Sequence, residues 1–226
     1  MLSTEKQKDF LSSLAGIRDD GRVRLISILS AAIAVSSEEF TERIIGYLKN
    51  MEFSREAIYE TILQSYLFLG FPRMIEAALV YNNIYGDIKK ESRVEKISGN
   101  EAEKWFQDGI NLCRKVYGKN FEKLEKRFLA VSPEMFRWMV LEGYGKVLSR
   151  PGLSQIEREL AEVAALIVDI RERQLISHVL GSLNVGATMD LIKRVNEDIR
   201  PIAGDEAYNM AAGVISGIEQ KNETEI

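Results

Sequence analysis

The chain holds one histidine, His178, and one cysteine, Cys113. A single imidazole excludes metal centres built on several histidines and any mechanism that needs two imidazoles. A single thiol excludes an internal disulfide, cysteine-rich zinc sites and dithiol redox chemistry. Cys113 stands four residues from Gly109 and three from Ile110 on an expected helix, which reads as a small buried hydrophobe rather than a nucleophile. An imidazole beside a carboxylate is an acid–base pair, because the carboxylate fixes the tautomer and raises the imidazole pKa. His178 borders Leu175, Val179 and Leu183, and Glu159 borders a stripe of Ile156, Leu160, Val163, Ala164 and Ile167, so both sit at the edge of an apolar face. A turn near Asp169 folds one helix back along the other and lets the two residues face each other. The alternative is a structural pair, a half-buried histidine satisfied by a carboxylate. Arg150 and Arg158 could hold an anionic substrate bidentately or, as such arginines do more often, cap helix ends and pair with nearby acids.

Helices must position these residues. Proline is scarce and apolar residues recur at three- and four-residue spacing, which predicts an all-α protein of about ten helices. Capping boxes are expected at Thr4 with Gln7, Ser36 with Glu39 and Ser154 with Glu157. The expected helices run about 4–16, 22–35, 38–50 and 55–84, the last broken near Gly70 and Pro72. A second set covers about 101–116, 119–128, 133–148, 155–169, 171–184, 189–198 and 204–219. Between the sets, ten of the eighteen residues from 87 to 104 are charged, as in a solvated connector. This divides the chain into 1–86, a linker 87–104 and 105–226.

Aligned at an offset of 134, Arg24 falls on Arg158, Asn50 on Asn184, Ser54 on Thr188, Ile58 on Ile192, Gly70 on Gly204 and Ala77 on Ala211. The match predicts an internal repeat whose two copies pack on each other.

Thirty Lys and Arg against thirty-four Asp and Glu leave −4, with no basic excess to attract nucleic acid. Glu122 and Glu125 interleave Lys119, Lys123, Lys126 and Arg127, which makes that stretch a solvated amphipathic helix rather than a basic patch. The longest apolar run, Leu25 to Val35, includes two serines and falls short of the roughly 20 residues a membrane span needs. The start of the chain lacks the pattern of a secretory leader, so the expected setting is the cytoplasm. Gly181 and Gly186 lack the spacing of a phosphate loop. Tyr59, Tyr66, Phe68 and Phe71 read as core or an oligomer seam. No metal or cofactor is expected.

The series Tyr144, Gly145, Lys146, Val147, Leu148, Ser149, Arg150, Pro151, Gly152, Leu153, leading into Arg158, Glu159, Leu160 and Ala164, resembles the carboxymuconolactone decarboxylase family. Gln174, Leu175, His178, Gly181 and the turn from Asn184 to Thr188 extend the resemblance, which covers about 105–215. Gly109 to Gly118 is similar to that family's N-terminal segment, and Gly70, Phe71, Pro72 to its C-terminal helix. The resemblance implies an alkylhydroperoxidase D-like fold of small helical repeats that assemble into rings, here a trimer or a dimer of tandem copies.

The chain also departs from the family. Tyr144 and Leu148 stand where the decarboxylases usually carry tryptophan, and the closing Gly-x-Pro is Gly204, Asp205, Glu206. Peroxidase members carry Glu, Cys-x-x-Cys and His at positions that are Glu159, Arg171, Gln174 and His178 here, so acid and histidine are in register and both cysteines are absent. The same positions in the first copy are Leu25, Ser37, Phe40 and Ile44. The resemblance therefore implies cofactor-independent acid–base chemistry on a small carboxylated or lactone substrate, with Glu159 and His178 catalytic and Arg150 and Arg158 binding substrate. Two alternatives stand beside it. One is a non-catalytic oligomeric scaffold of the same fold. The other is a peroxidase in the family's sense, which would have to run without the dithiol.

Overall fold

A computed structural model of the chain describes residues 3–17, 19–86 and 96–224. Serine and threonine side chains open most of its helices by accepting a hydrogen bond from a first-turn backbone N–H, as Ser3, Ser37, Ser54, Ser98, Ser132, Ser154 and Thr188 do. Ser98 with Glu101 and Ser154 with Glu157 close full capping boxes. Two of the expected caps sit one residue away from their predicted place. Ser3 rather than Thr4 caps the first helix, and Ser37 rather than Ser36 caps the third. Ser36 instead takes a left-handed conformation (φ 57°) that ends the helix before it.

The elements are α1 (Thr4–Leu14), α2 (Gly21–Val35), α3 (Glu38–Asn50), α4 (Arg55–Tyr85), α5 (Gly99–Tyr117), α6 (Phe121–Val131), α7 (Pro133–Trp138), α8 (Gln155–Val168), α9 (Glu172–Asn184), α10 (Met189–Ala203) and α11 (Asp205–Thr224). A short 3-10 turn, Gly118–Asn120, joins α5 to α6, and α7 runs on as a π-helical segment, Met139–Leu148. The fold is all-α, and no strand occurs among the described residues. Part of the stretch read as a connector, 87–95, lies outside the described residues, and 99–104 is the first part of α5. None of the described helices is long and apolar enough to cross a membrane.

One apolar core runs through α1 to α4 and α8 to α11, with Ile28, Leu29, Ile33, Ile44, Ile45, Ile58, Leu160, Ile167, Leu175 and Ile192 buried in it. Helix α2 lies along α8, where Ser30 Oγ donates to the Ala161 carbonyl at 2.6 Å. Arg22 meets Glu157 across the same seam at 2.6 Å, Arg24 of α2 grips both carboxylate oxygens of Asp198 on α10 at 2.6 Å, and Arg73 of α4 meets Asp169 at the end of α8 at 3.0 Å. Gly70 (φ 78°) breaks α4 in two, and Gly204 (φ 84°) separates α10 from α11. At both points only glycine takes this conformation without strain.

A second, smaller core holds Leu112, Cys113, Val116, Phe136, Val140 and Tyr144. It forms where α5 meets the π-helical segment at backbone distance. A Cβ at Gly145 would stand 1.9 Å from the Trp105 carbonyl oxygen, and one at Gly109 would stand 2.1 Å from that of Val140. Side chains larger than hydrogen at either place would push the two helices apart. Because α5 also packs on α9, this layer closes over the face of α9 that carries His178.

Candidate active site

Glu159 and Glu162 lie three residues apart on α8, so one face of the helix presents both. His178 lies on α9, which the turn at Asp169 and Ile170 folds back against α8. The structure brings the two expected residues together, with His178 Nδ1 3.0 Å from Glu159 Oε2. It also adds a third: Glu162 Oε2 is 3.0 Å from the same nitrogen. All three side chains are buried. The hydrogen bond runs to Glu159, whereas both oxygens of Glu162 lack a hydrogen-bonding partner. Glu162 nevertheless pairs with the ring as an ion.

Burial works against a charged imidazole, but the two carboxylates outweigh it and lift the His178 pKa from 6.5 to about 10. Burial, reinforced by the charge of Glu159, lifts the Glu162 carboxyl from 4.5 to about 7. His178 is therefore cationic at neutral pH, and its proton on Nδ1 is held between acids. Space for the Glu159 carboxylate comes from Gly181, where a Cβ would press to 2.7 Å on Glu159 Oε2 and 2.8 Å on Val116 Cγ1. Ser182 donates to the His178 carbonyl at 2.7 Å and adds a bond within α9.

His178 also borders a cavity of about 420 Å³. Tyr66, Leu67 and Phe68 of α4, Tyr117 of α5, Phe128 of α6 and Trp138, Met139, Glu142 and Tyr144 of the following segments line it, with Gln174 beside His178. Phe68 meets the imidazole edge-on, ring centroids 5.0 Å apart. The polar groups on this wall are mostly paired with one another. Tyr144 donates to the Tyr117 hydroxyl at 2.8 Å, and Tyr66 donates to Glu142 at 2.9 Å. Burial pushes the pKa values of Tyr66, Tyr117 and Tyr144 up, so all three remain neutral hydroxyls. Phe68 and Tyr66, read from sequence as core or seam, are cavity wall.

Arg150 and Arg158 are placed elsewhere, around Glu60 of α4. Arg150 forks onto both Glu60 oxygens at 2.8 to 3.1 Å. Arg158 gives its hydrogen bonds to Glu60 Oε2, Gln64 Oε1 and the carbonyls of Arg150 and Pro151. Neither lines the cavity. They tie α8 to α4, which is the pairing alternative raised from sequence. Cys113 is fully buried, and burial together with the Glu159 charge pushes its thiol pKa up. Of the two motif positions without cysteine, Gln174 reaches the cavity, while Arg171 pairs with Asp169 at 2.8 Å.

Glu162 escaped sequence reasoning, although a signal was there. An acid three residues beyond Glu159, inside the run Leu160 to Val168, must turn the same way as Glu159 into an apolar stretch.

No family model matches this chain. It is 25% identical over 193 residues to Peroxisomal protein 2 of Schizosaccharomyces pombe, an alignment that spans 80% of this chain and 85% of that protein.

Proposed function

We propose that the chain is a carboxymuconolactone decarboxylase-like enzyme in which His178, backed by Glu159, acts as the acid toward a small carboxylated or lactone substrate. The observation that supports this reading is the setting of one imidazole, which has acids on Nδ1 and belongs to a residue that lines an aromatic cavity. When a carboxylate beside a carbonyl leaves as CO2, the electron pair of the breaking C–C bond passes to the carbonyl oxygen as an enolate. A cationic imidazole stabilises that oxygen by hydrogen bonding, then gives its Nε2 proton to carbon, and water restores it. Glu159 keeps the ring oriented and charged. The apolar lining favours the neutral product over the carboxylate it came from. Because Glu60 occupies both arginines, the substrate carboxylate meets His178 rather than Arg150 or Arg158.

The test is CO2 release from a panel of small carboxylated and lactone compounds. Wild type should turn over at least one of them, and His178→Gln should lose that turnover at an unchanged melting temperature. Equal turnover in the variant overturns the assignment.

A non-catalytic homo-oligomeric scaffold is the second reading. It is favoured by Phe71, Ile75 and Leu79, which stand exposed at four-residue spacing beyond the break in α4. Sedimentation of wild type as a dimer or trimer, with Leu79→Lys monomeric, would support it. Both readings include a tandem organisation, since α2, α3 and α4 begin at Gly21, Glu38 and Arg55 and α8, α9 and α10 at Gln155, Glu172 and Met189. A peroxidase reading gains nothing from Cys113, which lies outside the cavity lining. The setting we propose is cytoplasmic. The name of the fission-yeast relative gives that protein to the peroxisome, and a fluorescent fusion collecting there would move this chain with it.

A further inference from the structure

We propose that Glu159, Glu162 and His178 form a binding site for one divalent first-row transition-metal ion, which takes the place of the proton on His178 Nδ1. The inference rests on the same His178–Glu159 pair as the proposed reaction and gives that pair a second state.

Three donor atoms converge: the imidazole nitrogen and one oxygen from each carboxylate all lie within 4.8 Å of one another, and the nitrogen is 3.0 Å from each oxygen. Donors held at about 2.0–2.2 Å from a common ion stand roughly 3.0–3.4 Å apart, so small side-chain shifts suffice. The donors sit on two packed helices rather than on loops, which fixes their spacing.

Glu162 is the independent sign of a ligand. It is 1% exposed, neither of its oxygens meets a hydrogen-bond donor in good geometry, and the imidazole it pairs with at 3.0 Å is shared with Glu159. A buried carboxylate is ordinarily hydrogen-bonded, paired or bound to a cation. Arg158, on the same helix, is committed to Glu60 and Gln64. Charge points the same way. With both carboxylates ionised, an imidazolium leaves the trio at about −1, a charge that burial resists by holding Glu162 partly protonated, whereas two carboxylates, a neutral imidazole and a dication sum to about zero.

The donor set selects the ion. One imidazole and two carboxylates suit zinc, manganese, iron(II) or cobalt(II), whereas magnesium and calcium favour all-oxygen sites and copper(I) favours sulfur. An ion on Nδ1 leaves the proton on Nε2, so the metal state keeps the imidazole as a hydrogen-bond donor.

The experiment is a cobalt(II) titration of the full chain after dialysis against a chelator, at about pH 8, above the Glu162 pKa of about 7 and below that of His178 at about 10, so that the ion has only the Nδ1 proton to displace. Visible d–d absorption reports an inner-sphere site. One equivalent should saturate the wild type, and zinc should displace it and raise the melting temperature. Glu162→Gln, nearly identical in shape, should weaken binding by roughly 100-fold or more while circular dichroism stays that of wild type. Glu162→Asp should recover part of the affinity and guards against a folding defect in the glutamine variant. Wild type and Glu162→Gln binding equally, or no saturable d–d band, overturns the site. The two proposals fail separately. Turnover by chelated protein without cobalt binding leaves the acid chemistry standing alone, and cobalt binding without turnover on the panel leaves only the metal site.

Discussion

Helices α2 and α3 begin at Gly21 and Glu38, α8 and α9 at Gln155 and Glu172, and at matching steps the two pairs bury opposite chemistry. At an offset of 134 residues in the sequence, Leu25, Ile28 and Ile44 stand opposite Glu159, Glu162 and His178, and all six are buried. The backbones do not explain the difference. Ser36 and Ile170 both turn left-handed at the end of the first helix of each pair, with φ of 57° and 53°. What differs is the covering and one small residue. Helix α1 touches α3, while α5 crosses α9. Gly181 gives room to a carboxylate at the step where α3 carries half-buried Tyr47. A frame that closes over three aliphatic side chains does not require three polar ones for its stability. The acids and the histidine are therefore best understood through what they can do.

The comparison can be broken by exchanging residues between the pairs. The largest effect should come from His178→Ile, which leaves two acids buried without their cation and should cost about 3–5 kcal/mol in denaturant unfolding. A loss below about 1 kcal/mol would mean that the acids are relieved by protonation or water. Replacing all three together, Glu159→Leu, Glu162→Ile and His178→Ile, copies the first pair. It should leave stability equal or raise it by about 1–4 kcal/mol, and a large loss would show that the polar trio supports Tyr117 and Tyr144 as well. Gly181→Ala should cost about 1–3 kcal/mol by pressing a methyl onto Glu159 and Val116, and pairing it with Glu159→Leu should not restore the fit, because Val116 remains in the way.

The smallest effect is read against pH. The folded pKa of Glu162 is raised to about 7, so its contribution to stability is complete below 4.5 and is lost as pH rises through 7. That of His178 is raised to about 10, so its contribution is complete below 6.5 and is lost as pH rises through 10. The stability of wild type minus that of the triple variant should thus fall across both windows, and Glu162→Gln should remove the lower one. Proton NMR of the single imidazole gives the same answer directly. Its ring should remain protonated at neutral pH in wild type and titrate lower in Glu159→Gln.

Much of the frame was legible in the sequence, because helix starts depend on local signals. Ser54, Ser132, Ser154 and Thr188 stand where the caps form. Ends were harder. Helix α10 continues through Pro201 to Ala203, since a proline in the last turn removes one hydrogen bond without ending the helix. The π-helical character of Met139–Leu148 has no periodic signature of its own, and Gly145, which lets α5 approach it, reads as an ordinary small residue. The pairing of Glu159 with His178 followed from two antiparallel helices and a short turn. The fate of the arginines did not, because Glu60 stands 90 and 98 residues away from them in the chain and such pairs leave no trace in periodicity. Glu162 lies outside the motif that holds Glu159 and His178 in register.

Phe68 stacks edge-on against His178 from the far half of the chain, on the stretch of α4 just before its break at Gly70. One wall of the cavity is therefore borrowed. If α4 swung away, solvent would reach the imidazole and screen the two carboxylates that raise its pKa. The lone histidine thus serves as a built-in gauge of assembly: its chemical shift and titration report whether two distant stretches of chain are closed on each other.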